Sequence, residues 1–545
     1  IQRTDRFFLA MDAVRHPVTG AIMCNVTLHN PSKAQLAEAM QGVPVSTTTP
    51  PLTTFVDSPV GPGSIENCVP LNIFGHGHAS QEAIDYLVDD KFGRRRLGQH
   101  FAELLLTGEL FDGIGAGPVS FASGLTYRKE NFYQFAFEAG QSIPFERGMV
   151  NVPALGIRGI PDGFAGGGAL ELNQFSGTGQ AHGGFDVWEI FGELNVPLWE
   201  SASGEQKLGS NLAYRSSDYS LSGRVNSWKL GLDFTVFDDL RLRATKSRDV
   251  REPSLAEQFE IGGGGGSVND PMFDGAFFAI TSLSANNPNL EPEIADTTTA
   301  GFVYQPTFAD WVDGLQVSAD WYEIDVSGAV GQLGPQRIVD GCYYDDNPQL
   351  CALVFRNAST GIIDRVMNQR LNIAAARTAG VDLEMQYRFE TDFFADEAES
   401  WTVRALAGYL MENSDTPFQG TKQDQVGGLN RPEWTAVLTA NYQVGPWGVR
   451  VQQRYFDKTK INVAWVEGVD VDDNWTASQS ITNLSLSYNG ETAGANWVAS
   501  FNVTNLFDRD PPVVPSLTQR GGFQAVSPNY DIFGRRYQLN LNMNF

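Results

Sequence analysis

Long stretches of this chain alternate strictly between apolar and polar residues. Val381, Leu383, Met385, Tyr387 and Phe389 interleave with Asp382, Glu384, Gln386, Arg388 and Glu390. Trp228, Leu230, Leu232, Phe234 and Val236 interleave with Lys229, Gly231, Asp233 and Thr235. Thr482 to Asn489 and Trp497 to Thr504 follow the same rule, and the chain ends on Tyr537, Leu539, Leu541, Met543 and Phe545 against Gln538, Asn540, Asn542 and Asn544. Period two puts each set on its own face of a β-strand. The alternating segments run to around 11 to 15 residues, where strands of soluble sandwiches have about 5–6. A strand tilted near 45° needs about 9–11 residues to cross the hydrocarbon. The pattern predicts 16 strands, at 1–14, 100–111, 117–129, 183–199, 205–218, 223–237, 238–250, 294–306, 313–329, 370–390, 399–413, 430–443, 446–460, 476–490, 493–506 and 530–545.

The connections between these segments alternate too. Those at 112–116, 200–204, 237–238, 307–312, 391–398, 444–445 and 491–492 are short; those at 15–99, 130–182, 251–293, 330–369, 414–429, 461–475 and 507–529 are long, and only 219–222 breaks the rule. Short periplasmic turns and long outer loops are the habit of transmembrane barrels, and the parity puts the C-terminus on the periplasmic side. In lipid every backbone polar group must be paired internally, which a closed sheet achieves by having no edge. The predicted fold is all-β, a transmembrane antiparallel β-barrel. Trp199, Trp321, Trp401, Trp434, Trp447 and Trp497 fall near strand ends, as an interfacial girdle requires, or else line the lumen.

Composition adds three constraints. The 545 residues are 42% hydrophobic, which suits strands with one apolar face. No apolar stretch is long enough for a spanning helix; the best run, Ala102 to Phe111, is interrupted by Glu103 and Glu109. A net charge of −26 makes nucleic acid a poor partner, since phosphate contacts need basic surface. The four cysteines, Cys24, Cys68, Cys342 and Cys351, fall in local pairs within loop regions. Two extracellular disulfides, Cys24–Cys68 and Cys342–Cys351, fit an oxidising space. Free thiols are the alternative, and a zinc site would need a CxxC pair that is missing.

Five segments then resemble one family. They are Arg248-Asp-Val-Arg-Glu-Pro-Ser-Leu-Ala-Glu-Gln-Phe259, Asn286-Asn-Pro-Asn-Leu-Glu-Pro-Glu293, Gly380-Val-Asp-Leu-Glu384, Phe501-Asn-Val-Thr-Asn-Leu-Phe-Asp508 and the last strand to Phe545. Together, and in this order, they resemble the barrel portion of TonB-dependent outer-membrane receptors. Cys68-Val-Pro-Leu-Asn-Ile-Phe-Gly75 is similar to a loop segment of a large-looped subgroup. The resemblance implies an outer-membrane protein of a Gram-negative bacterium that imports a bulky nutrient through a plugged barrel. The TonB–ExbB–ExbD complex would drive it, and lipopolysaccharide and the barrel assembly machinery would be its other partners. No plug or TonB box occurs in this sequence. Large plugged transporters have 22 strands, so residue 1 is expected near the seventh strand of a longer receptor. Tyr537, Leu539, Leu541, Met543 and Phe545 resemble the C-terminal assembly signal of such barrels.

Ligand contacts are expected in the long loops. Phe273, Phe277 and Phe278 follow the glycine run 262–266, read as flexible; they either stack on a ligand or pack loop against loop. Tyr343 and Tyr344 lie inside the Cys342–Cys351 stretch, held over the pore or part of a merely rigid loop. Asp470, Asp472 and Asp473 lie between Trp465 and Trp475 without EF-hand spacing, so a solvated acidic loop is favoured over a Ca²⁺ site. His76 and His78 lack an evident third ligand and read as an ordinary loop. Walker, Rossmann and GxSxG patterns do not occur. No cofactor, metal or catalytic residue is expected. Siderophore, cobalamin, oligosaccharide and peptide uptake all remain open. Two other classes compete: a passive 16-stranded porin, and an outer-membrane barrel hydrolase with a Ser or Asp beside a His at the rim.

Overall fold

The computed structural model describes residues 4–39, 65–75, 77–88, 91–112, 116–138, 152–158, 181–260, 262–284, 286–357, 360–393, 399–417, 422–492, 494–512 and 531–544. Its centre is one antiparallel sheet in which each long strand pairs with its neighbours in sequence. The strands are β1 (Lys91–Phe111), β2 (Val119–Glu138), β3 (Ala181–Glu200), β4 (Lys207–Tyr219) and β5 (Gly223–Phe237). Next come β6 (Leu240–Arg251), β7 (Glu293–Tyr304), β8 (Leu315–Gly331), β9 (Leu371–Thr391) and β10 (Glu399–Pro417). The series ends with β11 (Trp434–Val444), β12 (Trp447–Phe456), β13 (Gln479–Thr492), β14 (Ala495–Thr504) and β15 (Arg536–Asn544). All are strands expected from the alternation. Of the remaining expected strand, 1–14, the described part is instead mainly an α-helix, Thr4–Met11, and only the short strand Ala13–Arg15 follows it. Phe7, Phe8, Leu9 and Ala10 are adjacent apolar residues rather than alternating ones. The helix buries Leu9 and Ala10 on different neighbours, Leu9 near Cys24 and Val26 and Ala10 near Tyr86 and Leu87.

The pairing register sorts the residues by face. Tyr537, Leu539 and Leu541 of β15 lie beside Val503, Phe501 and Ala499. These continue to Leu484, Leu486 and Tyr488, and then to Val451, Val449 and Trp447. Gln538 and Asn540 lie beside Asn502 and Ser500, and that row continues through Ser485 and Ser487. Each face is therefore of one character across several strands, apolar outside and polar inside.

Two aromatic rows cross the apolar face. Phe389 pairs with Trp401, and Trp401 with Tyr442; the Phe389 and Trp401 rings stack at 6.0 Å, and those of Trp401 and Tyr442 lie 4.5 Å apart. Trp447, Tyr488 and Trp497 extend this row along the short-turn rim, with ring separations of 4.7 and 5.5 Å. The second row contains Trp321, Tyr409 and Trp434, all in register with Val381 or its partner. Between the rows the outward positions are Leu383, Met385 and Tyr387, with Ala405, Ala407 and Leu438 beside them. Eight residues separate the rows along each strand, about 26 Å of chain at 3.3 Å per residue. At a strand tilt of about 40° that is about 20 Å along the membrane normal, somewhat short of the apolar band of an outer-membrane barrel, about 25 Å, with the rings themselves marking its edges.

The short turns need particular residues. Gly314, between β7 and β8, has φ +84°, and a Cβ there would lie 2.3 Å from the carbonyl oxygen of Arg388. At the opposite rim the long connections fold into ordered domains. One combines 4–39 and 65–88 with the segment 152–158: Leu9, Cys24, Val26, Leu36, Ile65 and Ile157 share a core, and Asp12 pairs with Arg158 at 2.9 Å. Cys24 and Cys68 are bonded, S–S 2.12 Å. A second domain joins the loops after β6 and β8.

Candidate ligand-binding face of the outer loops

The second loop domain is a four-stranded sheet. Residues 262–270 pair antiparallel with 276–284, so the glycine run expected to be flexible is a strand. Residues 276–284 in turn pair in parallel with 363–367, which belong to a different loop. Residues 354–356 complete the sheet. Glycine costs a strand side-chain packing, but here a neighbour from another loop supplies the missing order. Val268, Ile280, Ile338, Val339, Leu350, Ile363 and Val366 form the core beneath. Asp270 is fully buried and takes two bonds from Arg356, at 2.5 and 2.8 Å. Burial pushes the Asp270 carboxyl up, but Arg356 and the amides of Met272 and Ile363 outweigh it and hold it below the usual carboxylate range. Cys342 and Cys351 are bonded, S–S 2.08 Å, and join the helix Pro335–Tyr343 to the turn Pro348–Cys351.

This domain gathers aromatics that are distant in sequence. Phe273 and Phe278 meet edge to face at 5.6 Å. Phe277 is exposed on the opposite side of its strand, and Tyr343 and Tyr344 are exposed at the helix end, 5.1 Å apart. A cavity of about 340 Å³ lies between Met272, Tyr343, Asp346, Val354 and Arg356, so the two loops share one hollow. Phe273 and Phe278 thus pack on each other, while Phe277, Tyr343 and Tyr344 are free to touch a ligand.

The acidic loop is different. Asp470 accepts the amide of Val466 at 2.8 Å, Asp473 that of Trp475 at 2.9 Å, and Glu467 that of Asn474 at 3.1 Å. Buried Asn474 donates to the carbonyls of Asn462 and Trp465, at 2.8 and 3.2 Å. Asp470 and Asp473 therefore hold the loop's own backbone, and Asp472 points to solvent. Trp465 is half-buried, whereas Trp475 is exposed with Lys458 and Lys460 over its ring at 4.7 and 5.4 Å. His78 lies against Gly75, whose missing side chain leaves it room; His76 lies outside the described residues. At the terminus Tyr537, Leu539, Leu541 and Met543 share the apolar face, and Phe545 lies outside the described residues.

Sequence reading left two sets of residues without a role. The Arg248–Phe259 segment proves to be a clamp: Arg248 bonds Asp296 twice at 2.8 Å, and Arg251 bridges Glu293 at 2.6 Å and Glu257 at 2.9 Å. Glu257 also closes a capping box with Ser254, which fixes the helix Leu255–Phe259 at the strand end. Burial raises the Glu257 carboxyl, but Arg251 and Ser254 together bring it below its ordinary value. The second set is the row of charges on the inner face, Arg241–Asp233 at 2.6 Å, Arg243–Asp320 at 2.5 Å and Arg404–Glu384 at 2.7 Å. Charged residues at alternate positions were the available signal for these pairs.

Comparison with known proteins agrees with this architecture. Residues 72–506 match the family described as TonB dependent receptor-like, beta-barrel. A search of curated proteins by sequence gives no match. The siderophore receptor PirA from Acinetobacter baumannii is similar in structure, with TM-score 0.51 and 16% identity over 83% of this chain and 55% of PirA. A ferric enterobactin receptor, PfeA, gives TM-score 0.52 and 14% identity over 82% of this chain and 54% of PfeA. At these identities the likeness is one of fold, and the chain spans about half the length of either receptor. The family match covers most of the sequence, its members are transporters rather than enzymes, and the chain belongs to the TonB-dependent receptor-like β-barrel family.

Proposed function

We propose that this chain forms the barrel wall of an outer-membrane importer that takes up a bulky nutrient, powered by TonB–ExbB–ExbD through a plug domain. One observation carries the reading. The sheet has an apolar face bounded by two aromatic rows, and among the described residues ordered loop domains with exposed aromatics crown only one rim. Loops held on a rigid scaffold are where binding residues concentrate, so a built crown on one rim suits capture of a solute. Lipopolysaccharide would surround the outer rim, and the barrel assembly machinery would insert the chain. The substrate would be a siderophore, cobalamin, an oligosaccharide or a peptide. Ferric siderophores come first for testing, because the receptors of similar fold are named for them.

The 16-stranded porin loses support from the same geometry. Its first strand is a helix, and β1 and β15, first and last of fifteen antiparallel neighbours, run toward the same rim. Joining them directly would make a parallel pair, so an antiparallel closure takes an odd number of further strands. Seven would give 22, the number in large plugged transporters. The test is uptake of labelled ferric siderophores by cells producing the receptor, with and without TonB. Uptake that needs both supports the importer; uptake indifferent to TonB would contradict it.

A further inference from the structure

The inner face is not uniform. Between β4 and β10 most of its cations stand beside acids, Arg215 with Glu189, Arg241 with Asp233, Arg243 with Asp320 and Arg404 with Glu384, while Lys229 and Arg388 stand singly on separate strands. On β12 both cations are without an acid. Arg450 and Arg454 are on its inner face, in register with Asn441 and Val437 on one side and Ser485 and Ile481 on the other. Lys458 and Lys460 follow at the same two-residue period above the strand end, where Lys460 pairs with Trp475. Among the described residues no carboxylate lies within ion-pair distance of these four cations, in a molecule with 64 acids. Arg450 lines a hollow of about 270 Å³ whose other polar side chains include Ser400, Thr402, Asn441, Ser485 and Ser487, all neutral.

Four like charges along one strand repel one another unless an anion lies among them. Arg450 and Arg454 are four residues apart, as are Arg454 and Lys458, about 13 Å per step along a strand. The series begins at the outer rim and runs into the lumen, so it follows the direction of transport rather than encircling a site. We propose that Arg450, Arg454, Lys458 and Lys460 form a track for a small anionic solute bearing carboxylate or phosphate groups, with Trp475 as a stacking platform at its outer end. This rests on the importer reading and narrows it to anionic cargo. A static acidic partner would be met by a patch at one depth; a column of separated cations suits an anion that moves.

The test uses the full chain, folded in uncharged detergent, with 5-carboxyfluorescein as a planar anionic probe and rhodamine 6G as a planar cationic control. Fluorescence anisotropy should show binding of the anion but not of the cation. Arg454→Gln and the pair Lys458→Gln with Lys460→Gln should each weaken it about tenfold, the size expected for one charge-assisted contact. Arg454→Lys keeps the charge and should bind nearly as the parent does. Heat-modifiable migration on gels confirms that each variant is folded. Equal binding of both dyes, or anion binding unchanged in the Gln variants, overturns the proposal. Capture of an acidic peptide with no dye binding would assign the cations to a protein partner and overturn it as well. The assay contains no TonB, so an importer reading that failed in cells would leave this result standing.

Discussion

Asp270 shows how far single residues decide the outer loops. It is buried on one loop and its cation, Arg356, is on the other, so the pair fixes two loops as one body. Removing one partner of a buried pair costs about 3 kcal/mol or more, because the other charge is left uncompensated. Arg356→Ala should therefore raise amide exchange together in 262–284 and 354–367 while the barrel strands stay protected. The pH dependence follows in sign. The Asp270 carboxyl is held below its ordinary value, so the stabilisation is present above about pH 4, the unfolded carboxylate value, and is lost as pH falls through the lower folded value. Protection of this domain, relative to the intrinsic exchange rate at each pH, should be flat from neutral pH to the ordinary carboxylate range and fall only below it. None of this was legible in the sequence, since neither residue's neighbours indicate a partner 86 positions away. The disulfide pairs were legible, because each joins cysteines of a single loop region.

At the scale of elements, legibility followed the physics of alternation. β9, β12 and β15 could be read directly, because lipid on one side and polar surroundings on the other force period two. The helix Thr4–Met11 could not, because its neighbours, Cys24, Val26, Tyr86 and Leu87, come from segments folded back on it. The strand 262–270 was missed for a similar reason: glycine has no strand preference, and its order comes from residues 276–284 and beyond them 363–367. The face assignment of β15 makes a paired prediction. Leu539→Arg, in register with Phe501 four residues from the rim residue Trp497, puts a charge into lipid, at a cost of about 2–4 kcal/mol near the midplane, and should lower the folded fraction in the outer membrane. Asn540→Arg, one residue away on the inner face, should insert normally. Equal effects of the two changes would contradict the assignment.

The whole molecule is a wall with two unlike rims and two unlike faces. Its transport role depends on the apolar face meeting lipid and the charged face meeting the lumen. The most direct measurement is a cysteine scan of β9 from Val381 to Arg388 in the outer membrane, each cysteine carrying a spin label. The native cysteines are bonded in pairs and leave no competing thiol. Labels at 381, 383, 385 and 387 should be relaxed by oxygen dissolved in lipid, and those at 382, 384, 386 and 388 by a water-soluble nickel chelate, with a period of two throughout. A flat profile, or one with the phase reversed, would contradict the barrel orientation on which the account rests.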